Sequence, residues 1–340
     1  MVKSLIMAGG AGERLWPLSN SKKPKQFHAF GTEKSMVEET LDRLGDLVDE
    51  MYVVLTEEQY QLFIYYLPDF PKENIIVEPV GRNTAPAIAV GSLKFDDDDV
   101  MVVLPSDHVI KNIEEFHKTL RTAINEARKE DVLITIGITP SYPHTGYGYL
   151  ERGEKWSQKS NSYKVRRFHE KPDFEQAQAY FKTGGYYWNS GMFVWRKKVF
   201  EQALAVNLTS VYKCILQIEE DPESLKTVYE KMPSVSIDYG VMEKADNVVV
   251  IPASFYWNDI GSWDSVYDLE DKDKHGNVVK GKFILNQVRN SLLINVTDRV
   301  LGLSMLENVI VISSDNGTLI CARGESQTTK EIVRDLGLMG

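Results

Sequence analysis

Short apolar runs alternate with amphipathic stretches through the first half of the chain. Val2 to Met7 is an apolar run of strand length that ends in glycines, and Ser35 to Val48 places Val37, Leu41 and Leu44 at helical spacing. Met51 to Leu55, Asn74 to Val77, Val100 to Leu104 and Val132 to Ile136 predict further short strands. Asn83 to Phe95 and Glu114 to Lys129 predict helices, the second with Phe116, Leu120 and Ile124 on one face. Strand and helix in alternation predict an α/β fold: a Rossmann-like, mostly parallel sheet with helices on both faces. Ligands of such sheets bind beyond the carboxyl ends of the strands, so motifs at those ends are the first functional candidates.

The pattern changes near Gly146. Tyr147 to Leu150, Tyr163 to Phe168 and Tyr186 to Trp195 are aromatic-rich strands, with helices expected at Phe174 to Lys182 and Lys198 to Val206 and a strand at Val248 to Ile251. After Asn277 the chain breaks into short apolar pieces: Phe283 to Leu285, Ser291 to Ile294, Val300 to Leu303, Val309 to Ile312 and Thr318 to Cys321. Their even spacing predicts a small C-terminal β module of solenoid or β-helix type. The expected division is residues 1–270 as one large domain, with a first half at about 1–145 and a second lobe at about 146–270. The β module then occupies 277–340.

Composition narrows the function classes. A chain of 340 residues with 43% hydrophobic residues supports one large domain and a smaller one. The net charge of −10 argues against nucleic-acid or anionic-membrane partners, so any phosphate must meet a local cationic site. Cys214 and Cys321 form no C-x-x-C pattern, which fits a reducing compartment and not a zinc site or structural disulfide. The N-terminal apolar run is too short for a signal peptide, and no stretch approaches a membrane span, so a soluble cytoplasmic protein is expected. Asp96 to Asp99, four adjacent acids whose side chains diverge, are expected to form a solvated turn.

The strongest chemical signal is Met7-Ala-Gly-Gly-Ala-Gly-Glu-Arg-Leu-Trp-Pro-Leu18, followed by Lys22-Lys-Pro-Lys-Gln-Phe27. Gly9, Gly10 and Gly12, directly after the first strand, let backbone amides approach a triphosphate. A Rossmann dinucleotide loop would need glycine at position 15, which is Leu15, and a P-loop would need Gly-Lys-Ser/Thr; both are missing. What remains is a glycine turn with two cations behind it, Arg14 and Lys25. The glycines alone are equally compatible with a plain turn. Asp107, after Pro105, also reads as a turn cap, and Asn189 as a residue holding the turn before Gly191.

These blocks resemble the sugar-phosphate nucleotidyltransferases and, within them, the GDP-mannose pyrophosphorylases (mannose-1-phosphate guanylyltransferases). The resemblance continues through Glu78-Pro-Val-Gly-Arg-Asn-Thr-Ala-Pro-Ala-Ile88, Leu104-Pro-Ser-Asp-His108, Gly146-Tyr-Gly-Tyr149, Phe168-His-Glu-Lys-Pro172, Trp188-Asn-Ser-Gly-Met-Phe193 and Trp257-Asn-Asp-Ile-Gly-Ser-Trp263, in order over about three quarters of the chain. The Arg82-Asn-Thr-Ala-Pro stretch points to the mannose and guanine branch. The reaction so implied joins GTP and mannose 1-phosphate into GDP-mannose and pyrophosphate. A sugar 1-phosphate is already an anionic nucleophile, so positioning and charge neutralisation suffice, without a general base.

On this resemblance Arg14 and Lys25 serve the triphosphate and leaving group, and Lys171 serves the sugar phosphate. Ala8, Gly9, Gly10, Gly12, Glu78, Asn83 and Asp107 are candidates for nucleotide binding, with Glu78, Asn83 and the backbone at Ala8 and Gly9 facing the base. Gly148, Glu170 and Asn189 are candidates for the sugar, and Asp107 and Asp259 for Mg²⁺. His108 and His169 are expected to be structural, and Trp188, Trp257 and Trp263 core or pocket wall. A homodimer is also expected, and the chain ends too soon after the expected β module to hold the isomerase domain that some bifunctional relatives append. Another NTP or hexose 1-phosphate remains open. So does a non-catalytic nucleotide-sugar sensor or regulatory subunit, although such a chain would be expected to lose Arg14, Lys25 or Asp107.

Overall fold

The computed structural model describes residues 1–10, 12–157 and 160–337; Ala11 of the glycine turn and the last three residues of the expected β module lie outside them. In chain order the first half contains β1 (Val2–Met7), α1 (Met36–Leu44), β2 (Glu50–Thr56), α2 (Glu57–Tyr66), β3 (Ile75–Glu78), α3 (Thr84–Ser92), β4 (Val100–Pro105), β5 (Val109–Lys111), α4 (Ile113–Lys129) and β6 (Leu133–Ile138). The second part adds β7 (Tyr149–Ser157), β8 (Ser162–His169), α5 (Phe174–Thr183), β9 (Tyr186–Arg196), α6 (Lys197–Asn207), α7 (Thr209–Glu220), α8 (Leu225–Tyr229), β10 (Val248–Pro252), β11 (Tyr256–Asn258) and α9 (Trp263–Leu269). A π-helical turn spans Asp238–Met242 before β10.

One sheet runs through both parts in the order β3-β2-β1-β4-β9-β6-β10-β8-β7. β1 to β4 pair in parallel, and β9 enters antiparallel between β4 and β6. With β10 parallel to β6 and β7 antiparallel to both β8 and β9, only β8 and β9 oppose the common direction. Apolar side chains fill both faces. One layer packs α1 and α4 residues such as Leu44 and Phe116 on Ile6, Val102 and Ile134, and the other packs α3, α6 and α7 residues on Leu5, Val103 and Trp195.

Local chemistry sets the element ends. Ser35 accepts from the Glu38 backbone N–H while Glu38 returns to the Ser35 N–H, a capping box that starts α1. α3 is buried almost end to end, and at Gly91 any Cβ would sit 2.4 Å from Leu5 Cδ2, so glycine permits the helix to lie against β1. Asp96, Asp97 and Asp98 are exposed, as the expected solvated turn requires, and only Asp99 departs from it. Asp99 is buried, bonds the Lys3 ammonium at 2.8 Å and the amino group of Met1 at 2.6 Å, and those two cations outweigh the cost of burial to hold its carboxyl at about 2.

The C-terminal strands are β12 (Val278–Lys280), β13 (Phe283–Asn286), β14 (Leu292–Asn295), β15 (Leu301–Ser304), β16 (Val309–Ser314) and β17 (Gly317–Ala322), followed by α10 (Thr329–Asp335). β12, β14 and β16 stack in parallel, as do β13 and β15, which is the coil-on-coil pairing of a solenoid; β17 closes it as an antiparallel hairpin. Its inner residues Leu292, Ile294, Ile310, Ile312 and Leu319 form one apolar cluster with Leu15, Trp16, Ile260 and Trp263 of the preceding chain. No helix among the described residues is long and apolar enough to cross a membrane.

Candidate nucleotide and sugar phosphate site

The carboxyl ends of β1, β3 and β4 face a cleft of about 330 Å³ lined by Gly9, Gly10, Glu78, Asn83, Pro105, Asp107, Gly191 and Asp238. A second cleft of about 450 Å³ is lined by Gly12, Arg14, Lys25, Asp107, His108, Asp259 and Gly261. Asp107 stands in the wall of both. The first has mostly apolar walls with a few polar groups, as a base and ribose require, and the second gathers charge, as a triphosphate requires.

The glycine turn is held from behind by amides. Gln26 Nε2 donates to the Ala8 carbonyl at 2.5 Å, and Gln59 Nε2 donates to the carbonyls of Gly9 (3.1 Å) and Gly10 (3.3 Å). Ala8 is buried and its N–H donates to the Val54 carbonyl within the sheet, so that amide is already engaged. Gly12 has φ of +66°, and a Cβ there would lie 2.2 Å from Lys25 Cβ. Glycine therefore brings the turn against Lys25. Glu78 is buried over Gly9, where a Cβ would be 3.1 Å from its Oε1, and Tyr229 donates its hydroxyl to Oε2. Burial pushes the Glu78 carboxyl up, with Tyr229 opposing. Asn83 takes a left-handed φ of +69° and accepts from the Thr84 N–H at the start of α3.

Lys25 is the centre of the charged cleft. Its ammonium donates to Asp107 Oδ2 at 2.8 Å and to the main-chain oxygen of Asp259, and the side chain is buried. Burial disfavours the Asp107 carboxylate, but Lys25 and His108 outweigh that and hold its carboxyl below the ordinary range. Asp259 is fixed by the Tyr147 hydroxyl (2.7 Å) and the Gly261 N–H (3.1 Å), both donating to Oδ1. His108 accepts from Trp257 Nε1 at 3.1 Å and is buried, which lowers it to about 4 and leaves it a neutral wall residue. Arg14 is exposed at the rim of the same cleft.

The three sugar candidates also meet. A Cβ on Gly148 would lie 2.5 Å from Glu170 Oε2 and 3.5 Å from Asn189 Cβ. Glu170 pairs with Lys171 Nζ at 2.7 Å, and Lys171 holds a left-handed φ of +46° before Pro172. Asn189 is held at both ends of its amide: its Oδ1 accepts from Thr135 Oγ1 (3.0 Å) and the Gly191 N–H (3.3 Å), and one hydrogen of its Nδ2 is donated to Asp238 Oδ1 (2.8 Å).

Residues 3–276 match the family described as Nucleotidyl transferase. The chain belongs to that family. It is 38% identical to a mannose-1-phosphate guanylyltransferase of Klebsiella pneumoniae over 99% of this chain and 74% of that protein. A protein of the same description from Escherichia coli is 39% identical over the same shares. The crystal structure described as a mannose-1-phosphate geranyltransferase from Thermus thermophilus matches with a TM-score of 0.88 at 29% identity, covering 99% of each chain.

This nucleotidyl transferase therefore gathers Arg14, Lys25, Asp107 and Asp259 at one cleft and Gly148, Glu170 and Asn189 at a neighbouring group. Among the described residues of the site, Gln26, Gln59, Thr135, Tyr147, Tyr229 and Asp238 carry no role in the sequence analysis. Gln26 and Tyr147 lie inside the motifs quoted there, which is signal enough to find them. Gln59 caps α2 and Asp238 begins a π-helical turn, and neither local pattern announces a ligand.

Proposed function

We propose that this protein transfers the guanylyl group of GTP to mannose 1-phosphate, releasing pyrophosphate and forming GDP-mannose, in the cytoplasm and as a homodimer. The observation that carries the proposal is Lys25, lodged between Asp107 and Asp259 where the nucleotide and phosphate clefts adjoin. In this reading residues 1–145 hold the nucleotide, 146–270 accept the sugar phosphate, and the β module that follows from 277 packs against both through a shared apolar cluster.

In the reaction an oxygen of the sugar phosphate forms a bond to the α-phosphorus of GTP, and the bond from that phosphorus to the bridging oxygen of the β-phosphate breaks. Both reactants are anions, so the protein's task is to align them and offset their charge. Lys25 and Arg14 meet the triphosphate and the departing pyrophosphate. Lys171 faces the sugar phosphate. Glu78, buried over Gly9, is an acceptor-only group when ionised and suits the donor-bearing edge of guanine. Gly9 and Gly10 bring the backbone up to the nucleotide, and Asn83 closes the other side of its cleft.

Asp107 and Asp259 bring hard oxygen donors to the charged cleft, at a locus that already accommodates the Lys25 ammonium. That donor set fits Mg²⁺, which takes one or two carboxylates and completes its shell with water and substrate phosphate. Bound there, Mg²⁺ would withdraw charge from the phosphates.

The test is pyrophosphate release across NTPs and hexose 1-phosphates with Mg²⁺. GTP with mannose 1-phosphate should give the highest kcat/KM. A preference for UTP or dTTP with glucose 1-phosphate would overturn the branch and leave the reaction class standing. Release with no pair would return the chain to a sensor.

A further inference from the structure

We propose that Asp238 is a sugar-reading residue: its carboxylate accepts a hydrogen bond from a ring hydroxyl of the hexose 1-phosphate. The inference rests on the proposed transferase reaction and adds a specificity residue to it. Asp238 opens the π-helical turn Asp238–Met242 and lines the 330 Å³ cleft beside Gly191 and Ile237. It is not part of the glycine turn, the cationic cluster or the carboxylate pair described above.

Its surroundings are built for orientation. The buried Thr135 hydroxyl fixes Asn189 Oδ1 at 3.0 Å, which turns the Asn189 amide nitrogen onto Asp238 Oδ1 at 2.8 Å. A relay from the sheet floor thus aims one carboxylate into the cleft. Asn189 takes a single acceptor position on Asp238, and a carboxylate offers about four. Asp238 is also held close to Glu170, whose carboxylate lies against Gly148 and is neutralised by Lys171. Burying an acidic group beside another acidic group is costly unless a donor arrives. Sugar hydroxyls are such donors. Burial first, and Glu170 second, hold Asp238 up at about 6, with its own backbone N–H, Lys171 and Asn189 opposing.

The hexose is favoured over the ribose of GTP as the donor. Asn189, the immediate partner of Asp238, packs beside Gly148 and Glu170, the two other candidates for the sugar. Glu170 and Asp238 would then grip neighbouring hydroxyls while Lys171 holds the phosphate.

The experiment crosses Asp238→Asn with substrate deletion. Mannose 1-phosphate and its monodeoxy analogues are compared, with 2′-deoxy- and 3′-deoxy-GTP as the second arm, each on wild type and variant. For wild type, deleting the bonded hydroxyl should reduce kcat/KM by about 10–10²-fold, the usual worth of a hydrogen bond to a charged group. Asp238→Asn should cost a similar factor with mannose 1-phosphate, expressed chiefly in its KM and not in that for GTP. With the matching deoxy sugar, Asp238→Asn should cost almost nothing more. Additive losses for every deoxy sugar would overturn the inference, as would coupling to a deoxy-GTP. Asp238→Ser is run in parallel and must show the same coupled position; loss of folding in both, or a KM unchanged in a folded variant, would mark Asp238 as a turn residue only. Wild-type activity with mannose 1-phosphate is the control that separates failure of this inference from failure of the transferase reading.

Discussion

Replacing Gly12 by alanine should disable the enzyme by moving Lys25. The added Cβ would stand 2.2 Å from Lys25 Cβ and 3.1 Å from Lys25 N, so the obstacle is the root of the side chain and its backbone, not a flexible tip. Even the closest ordinary carbon contacts need 3.4 Å, so the two segments must separate by 3.4 − 2.2 = 1.2 Å. The φ of +66° adds about 1–2 kcal/mol for an L side chain in the left-handed region, a loss the folded state of a chain this size tolerates. A misplacement of about 1 Å in a positioned group costs about 10² in rate, and losing such a donor altogether costs about 10²–10³. Gly12→Ala should therefore lose about 10²–10³ in kcat while melting as a cooperative, folded protein. Pyrophosphate release with saturating GTP and mannose 1-phosphate measures the first, and thermal unfolding followed by circular dichroism the second. Lys25→Ala should show a similar loss of kcat, and the double variant should fall to that level and no further, because both changes remove the same cation. A folded Gly12→Ala with kcat near wild type, or losses that multiply in the double variant, would refute the coupling.

Asp107→Asn and Asp259→Asn should each abolish most activity, and the two together should be little worse than either alone; wild-type activity and Mg²⁺ dependence in either single variant would remove that carboxylate from the ion site. Asp238→Asn should also flatten the pH dependence of stability. The native carboxyl sits at about 6 against an ordinary 3.8, so the folded state binds more protons in that window and loses about 3 kcal/mol as pH rises through it. Urea midpoints taken from pH 4 to pH 7 should converge for the two proteins at the acid end and favour the variant at the neutral end; parallel curves would show that Asp238 does not titrate there.

Much of this fold is written in apolar spacing. β1, β4, β6 and α4 carry runs that one buried face demands, and their observed bounds fall close to those the pattern predicts. Spacing is silent where backbone bonds do the work instead of burial. β7 continues past Leu150 to Ser157 through charged and exposed residues, because its partner β8 supplies the hydrogen bonds. α2 buries only Gln59 and Phe63, too few to mark a helical face, and the apolar pattern predicts no helix there. Strand direction is likewise hidden: the apolar run of β9 reads the same in either sense, yet it lies antiparallel between β4 and β6. At the site, the glycine turn, Lys25 and Asp107 are legible only in combination and through the family resemblance, since glycine or aspartate after a strand also reads as an ordinary turn. Asp238 is not, since its meaning depends on Asn189 and Thr135, which reach it across long stretches of chain.

The solenoid's apolar seam has a mechanical consequence for the far side of the molecule. Leu15 and Trp16, just behind Arg14, share a core with Leu292 and Ile312, as does Ile260 beside Asp259. Pro17 accepts from Ser314 Oγ at 2.8 Å and Asn316 Nδ2 at 3.1 Å, and Trp16 accepts from Trp263 Nε1 at 2.9 Å. Both jaws of the phosphate cleft are thus rooted in one block of hydrocarbon, like two blades set in a common handle. Loosening the handle should let the blades part, so local melting of the solenoid should weaken whatever the cleft holds. By thermodynamic reciprocity a ligand that bridges the two jaws should slow hydrogen exchange at amides of β14 and β16 that it never touches.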